Sequence, residues 1–170
     1  MNLVKPTIQH YEQIMAYREV FLERGETPYG GSSLQKFTDY HKWLDNVISQ
    51  EIEELLPPHK VPVTQFLSIE NGELIGLINI RHVLTPELLM NGGHIGYSIH
   101  PNRRRKGYAA EQLRLSLLEA QKLGLEQILV TCDKSNIASA KTIEKVGGIL
   151  ENEIKPLKSK ESVLRYWIKI

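Results

Sequence analysis

The residues best suited to chemistry are the run Arg103-Arg104-Arg105-Lys106-Gly107-Tyr108-Ala109-Ala110. It follows a strand-like alternation and precedes an apolar periodic segment, so its backbone N–H groups leave a strand and open a helix together. Such groups converge on one point, and the positive end of the helix favours an anion there. Gly107 lets the backbone approach a phosphate closely, and Ala109 keeps the first helical turn slim. Four consecutive cations add an attraction that a neutral ligand would not require. The pattern therefore predicts a phosphate or pyrophosphate ligand. Neither G-x-G-x-x-G nor G-x-x-x-x-G-K-[ST] occurs in the chain, which sets aside dinucleotide-binding and P-loop folds.

The surrounding elements can be read from periodicity. Ile8, Tyr11, Ile14, Met15, Arg18, Phe21 and Leu22 fall at helical steps, with Thr7 as N-cap and Gly25 as stop. Phe37, Tyr40, Trp43, Leu44, Val47, Ile48 and Ile52 mark a second amphipathic helix ending before Pro57-Pro58, and its aromatics read as core rather than as a substrate cage. Strand alternation begins near Thr64, turns at Asn71-Gly72, and returns over 74–83. A loop holding Pro86 and Gly92-Gly93 leads to a strand over 94–100. A helix follows to Gly124, then a strand around 128–130 expected to run parallel to the one before it. A helix over 136–146 and two strands, 149–154 and 163–170, complete the order β-α-α-β-β-β-α-β-α-β-β. These elements predict one α/β (α+β) domain over residues 1–170, a three-layer sandwich on a central mixed sheet of six to seven strands.

In this context the chain resembles the GNAT family of acyl-CoA-dependent N-acetyltransferases. Arg104, Gly107 and Ala109 match the family loop Q/R-x-x-G-x-G/A, and Asn136 through Ser139 to Gly147 matches its N-x-x-A/S helix and closing E-K-x-G turn. The resemblance is strong over residues 64–154. It implies acetyl-CoA as acyl donor, with its pyrophosphate on Arg104, Arg105, Lys106, Gly107, Tyr108, Ala109 and Ala110. The pantetheine would pair with the strand edge at Tyr97, Ser98 and Ile99, and Asn136 and Ser139 would lie near its thioester end. A backbone N–H near Ile99 would polarise the thioester carbonyl. The acceptor would be a primary amine of a small molecule or peptide, attacking directly in a ternary complex. A CoA-binding regulatory module without turnover is the alternative.

Two departures from the family pattern bear on that choice. The tyrosine that many members carry seven residues after the asparagine is Ile143 here, leaving water, Tyr108 or Tyr97 as proton donors to the thiolate. The usual strand positions for a general base are Ile95 and Gly93, which cannot titrate. His94, one residue away, is a base candidate if a bulge re-aims it, and a satisfied structural histidine otherwise. His82 is the second candidate, with Glu151 and Glu87 behind it.

Composition bounds the remaining readings. In 170 residues, 21 Lys and Arg stand against 20 Asp and Glu, and 41% hydrophobic with 24% charged residues describes a globular chain. Residues 1–57 hold 5 basic and 9 acidic side chains, net −4, so the remainder is net +5. The acidic run Glu51, Glu53 and Glu54 could attract a cationic amine. No apolar run approaches the roughly 18 residues of a membrane helix, so a cytoplasmic protein with no membrane partner is expected. Cys132, the single cysteine, cannot bridge within the chain, and the six histidines show no metal-ligand spacing, so no metal is expected. Four cations without interleaved aromatics make a weak nucleic-acid patch, and none is expected as partner. The final strand, if left at an edge, could pair across a homodimer.

Overall fold

Burial on both faces of one strand sets the layering. In the computed structural model, which describes residues 1–157 and 159–170, β3 (Glu73–Arg81) is buried over nearly its whole length, as a strand covered on two sides must be. Leu77 packs with Ile14, Tyr17 and Phe21 of α1 (Tyr11–Glu23) and with Trp43 and Val47 of α2 (Tyr40–Ser49). Ile78 and Ile80 join the opposite cluster, formed with Leu113 and Ala120 of α4 (Tyr108–Lys122) and Ala140 and Ile143 of α5 (Ile137–Lys145). Helices on both faces make the expected α+β sandwich, and the aromatic residues of α2 are core.

Within that sandwich the strands divide. β1 (Asn2–Val4), β2 (Val63–Glu70), β3 and β4 (Ile95–Ile99) form one antiparallel sheet in that order. β5 (Gln127–Asp133), β7 (Val163–Lys169) and β6 (Ile149–Ile154) form a second, with β7 central. Two expectations are corrected here. β5 pairs antiparallel with β7 and forms no parallel ladder with β4, because the chain before β4 is tied to β5 by a local clasp rather than by a ladder. The final strand β7 is covered on both edges, so the exposed edge is β6.

Local chemistry accounts for smaller differences. Asp39 accepts from the His41 N–H at 2.9 Å and starts α2 at Tyr40 rather than at Phe37. A short α3 (Pro86–Met90) stands where a loop was expected, capped by the Thr85 hydroxyl accepting from Leu88 N–H at 3.2 Å. Pro86 suits its first position. Among the described residues no helix is long and apolar enough to cross a membrane.

Candidate active site

The loop from β4 into α4 has the form an oxyanion requires. Backbone φ is +61° at Arg105 and +85° at Gly107, an alternation of handedness that turns successive amides toward one concavity. Among the described residues, nothing accepts from the N–H groups of Arg105, Lys106, Gly107, Tyr108 or Ala109. The N–H of Ala110 is not part of this set, since it donates to the Gly107 carbonyl at 3.1 Å. Five free amides at the start of a helix of 15 residues fit a pyrophosphate.

The four cations divide by role. Arg104 pairs with Glu26, donates from Nε to the Ile99 carbonyl at 3.2 Å, and lies over the Phe21 ring at 5.5 Å. It therefore braces the loop against β4 and α1. Its guanidinium holds the Glu26 carboxyl below the usual carboxylate range. Arg103 pairs with Glu73. Arg105 and Lys106 are exposed and enter no ion pair among the described residues, so theirs is the charge a ligand would meet.

β4 presents a free edge beside that loop. The bonds Arg81 N–H to His94 carbonyl and His100 N–H to Ile75 carbonyl, both 2.8 Å, bracket the β3–β4 ladder and set its phase. Main-chain groups of Gly96 and Ser98 accordingly face β3, while those of Ile95, Tyr97 and Ile99 face away from it. Tyr97 and Ile99 can thus pair with amides along the edge. Ser98 cannot: its hydroxyl donates to the Tyr29 carbonyl at 2.6 Å and accepts from Tyr17 Oη at 3.0 Å.

Across from that edge, the Tyr97 phenol and Ser139 hydroxyl lie 2.8 Å apart. Ser139 N–H donates to Asn136 Oδ1 at 3.1 Å, so Asn136 caps α5 and fixes the serine. Burial pushes the Tyr97 phenol up to about 12 and the neighbouring Cys132 thiol up to about 11, so both are protonated at neutral pH. Ile143, at the family's tyrosine position, is fully buried in the core. The phenol that reaches α5 comes from β4 instead.

His94 is not free to take a proton, and one ring nitrogen of His82 is engaged. His94 N–H donates to the Leu129 carbonyl at 2.8 Å, and its Nδ1 accepts from the Leu129 N–H at 2.9 Å. A backbone amide only donates, so the Nδ1 lone pair is used and the neutral ring carries its proton on Nε2. Burial, then the charge of Arg81, pushes His94 down to about 4. With Gly92 N–H donating to Thr131 Oγ1 at 3.0 Å, His94 clasps the start of β4 to β5. His82 Nε2 lies 2.8 Å from Thr64 Oγ1, and the residue is absent from the cavity wall described next. Glu151 pairs with Arg165 at 2.9 Å in the second sheet.

A cavity of about 650 Å³ opens between the 27–33 loop, β3 and the α3 segment, within the size range of small-ligand sites. Amides and hydroxyls dominate its wall, among them Ser32, Gln35, Asn46, Ser49 and Asn79. Glu87 is its one carboxylate, against Arg81 and Lys60. The acidic run Glu51, Glu53 and Glu54 lies outside the wall, and Glu51 pairs with Lys5 at 2.5 Å, so its expected role toward an amine is not supported. No residue of β4 lines the cavity, and the 27–33 loop stands between the two, seated on Gly96. Gly30, at φ +75°, lies so close that a Cβ on it would fall 2.3 Å from the Gly96 carbonyl oxygen. Gln65 holds the loop there, donating from Nε2 to the Gly30 carbonyl at 2.7 Å and accepting from Ser32 Oγ at 2.8 Å. Sequence reading missed Gln65, Asn79 and Arg81. Polar residues at alternate positions in otherwise apolar strands were the available signal.

The model of the acetyltransferase (GNAT) domain matches residues 1–149. The chain belongs to the GNAT acetyltransferase family. It is thereby an acyltransferase. Solved structures give the same fold. The microcin C7 self-immunity acetyltransferase MccE, in complex with acetyl-CoA and AMP, is 13% identical with a TM-score of 0.72, over 99% of this chain and 91% of that one. RimJ of Mycobacterium smegmatis, in complex with CoA-disulfide, is 18% identical at a TM-score of 0.70, over 98% and 80%. The spermidine N-acetyltransferase SpeG of Vibrio cholerae is 14% identical at 0.69, over 99% and 95%. No curated protein matches this GNAT chain. Among its described residues no group of three His, Cys, Asp or Glu side chains is gathered to hold a metal ion.

Proposed function

We propose that residues 1–170 act as one domain that transfers an acetyl group from acetyl-CoA to a primary amine by direct attack in a ternary complex. The observation that carries this reading is the set of five free amides at 105–109, continuous with the open Ile99 N–H and Tyr97 main chain. Bound acetyl-CoA would supply the activated acyl thioester. The amides of 105–109, with Arg105 and Lys106, hold its pyrophosphate, and the Tyr97 and Ile99 edge orients the pantetheine. The Ile99 N–H is placed to stabilise negative charge developing on the carbonyl oxygen. The amine nitrogen forms the new C–N bond as the C–S bond breaks. The amine proton leaves to water, and the thiolate is protonated from solution.

Tyr97 O–H is the donor nearest the expected sulfur. A phenol at about 12 facing a thiol of ordinary pKa near 8.5 would give up its proton uphill by about 5 kcal/mol. Its role is therefore a hydrogen bond to the departing sulfur rather than full proton transfer. A CoA-binding module without turnover is the second reading, favoured by the engagement of both histidines and by the burial of Ile143. Of the similar structures, SpeG is a spermidine N-acetyltransferase and MccE holds AMP beside acetyl-CoA, so one fold accommodates different molecules and the acceptor must be read from the cavity. A reducing cytoplasm suits the buried lone thiol Cys132, and a homodimer would use the exposed β6 edge. A thiol-release screen of amino acids, polyamines, aminoglycosides and peptide N-termini tests the reading. Turnover with any of them supports it, and CoA binding without turnover supports the module.

A further inference from the structure

The cavity beside β3 contains an unbalanced cation. Every other arginine that is buried or half-buried among the described residues has a carboxylate partner: Arg18 with Glu19, Arg103 with Glu73, and Arg165 with Glu151. Arg81 has none. Its Nη1 donates to the carbonyls of Gly92 and Gly93 at 3.1 and 3.0 Å. Its Nε and Nη2 reach no acceptor among the described residues and are not sealed from solvent, and the residue lines the cavity. Burial alone pushes this guanidinium below its ordinary pKa, and a half-buried charge without counter-charge is costly unless a ligand compensates it.

Asn79 stands two residues earlier on the same face of β3, about 7 Å away along the strand. Its Oδ1 accepts from the Gly96 N–H at 3.3 Å, while its amide N–H₂ makes only a 3.5 Å contact with Ser32 Oγ. The strand thus offers an amide donor beside Gly96 and a guanidinium one step farther from β4's free edge. Lys60 on the wall adds a second positive charge.

We propose that the acceptor is a small primary amine that also carries an anion, a carboxylate or a phosphate ester, bound by Arg81 with Asn79 on the cavity wall. This rests on the acetyl-transfer reading and names its substrate class. The test compares β-alanine and O-phosphoethanolamine with ethanolamine and 1,3-diaminopropane in the full chain. Thiol release and calorimetric binding to CoA-saturated protein are both measured.

The expected result is a kcat/KM at least about tenfold higher for an anionic amine, equivalent to about 1.4 kcal/mol. Whichever of the two anionic amines leads identifies carboxylate or phosphate. Arg81→Gln should abolish the preference and Arg81→Lys should retain part of it, with CoA affinity unchanged in both as the check on folding. Equal or better turnover of the monocationic and dicationic amines, or a preference that survives Arg81→Gln, overturns the proposal and leaves acetyl transfer standing. Saturable binding of an anionic amine that Arg81→Gln removes, without turnover, keeps the anion site and overturns acetyl transfer. Neither binding nor turnover of the anionic amines overturns the proposal.

Discussion

Gly107 allows charge and shape to be separated at the proposed pyrophosphate site. Its φ of +85° costs any L-residue roughly 1–2 kcal/mol, yet a Cβ there would meet nothing within 4 Å. Gly107→Ala and Gly107→Asp therefore share the backbone cost, and neither introduces a clash. They differ in charge. A carboxylate about 4 Å from a phosphate charge repels it by about 1–4 kcal/mol at effective dielectric constants between water and a protein surface. That corresponds to roughly a fivefold to several-hundredfold loss of CoA affinity. The effect on folding should run the other way, because Asp tolerates positive φ better than Ala and favours the N-cap position that Gly107 occupies. Calorimetry with CoA at low salt, beside thermal melting, reads both quantities. Gly107→Asp should melt at or above Gly107→Ala while binding CoA at least about fivefold more weakly. Equal CoA affinity of the two variants would refute the placement of the pyrophosphate on these amides.

Three further outcomes are expected. Tyr97→Phe should lower kcat about 10- to 100-fold with CoA affinity unchanged, and an unchanged kcat would remove the phenol from the reaction. Gly30→Ala should destabilise by about 2–5 kcal/mol in urea unfolding, since it combines positive φ with a Cβ driven into the Gly96 carbonyl; an unperturbed midpoint would show that the loop does not seat on β4. His94 is held neutral, its pKa depressed from 6.5 to about 4, so its contribution is present above pH 6.5 and declines as pH falls toward 4, by about 3 kcal/mol. His94→Ala should flatten that acid slope, and an identical slope in the variant would contradict the clasp.

What could be read from the chain alone follows from how local each feature is. The anion loop depends on consecutive residues, so Arg105 to Ala109 could be recognised before any tertiary contact was known. Helix faces and strand alternation gave the layers for the same reason. The division of the sheet could not be read this way. It depends on His94 meeting Leu129 across 35 residues, and no periodicity records that a ring nitrogen takes the bond a parallel ladder would have used. Arg104 shows a related limit. As one of four adjacent cations it looked like ligand-binding charge, yet its partner Glu26 lies 78 residues away. Arg81 was hidden inside an apolar strand, and only the absence of an ion pair to it among the described residues makes it conspicuous, Glu87 standing on the same cavity wall without pairing with it.

The two halves of the proposed reaction meet on β4 because three properties of one strand coincide. Its phase turns the main chain of Tyr97 and Ile99 away from β3, so a donor can pair along the edge without displacing a sheet bond. Alternation sends the Tyr97 ring to the α5 side, where Ser139 fixes it. The preceding residue, Gly96, has no side chain, so the 27–33 loop seats against the opposite side within van der Waals contact. An amine and a thioester brought together at β4 need no side chain to carry the acyl group between them, which favours direct attack over a relay through an acyl-enzyme. The nearby side chains that could form such an intermediate are Ser139, whose hydroxyl is tied to the Tyr97 phenol, and Cys132. Its thiol, 8% exposed and pushed up to about 11, is overwhelmingly protonated at neutral pH and so a poor nucleophile. A strand with an open edge and a glycine beside Tyr97 thus suits a ternary complex, and substitution of Cys132 by Ala should leave acetyl transfer intact.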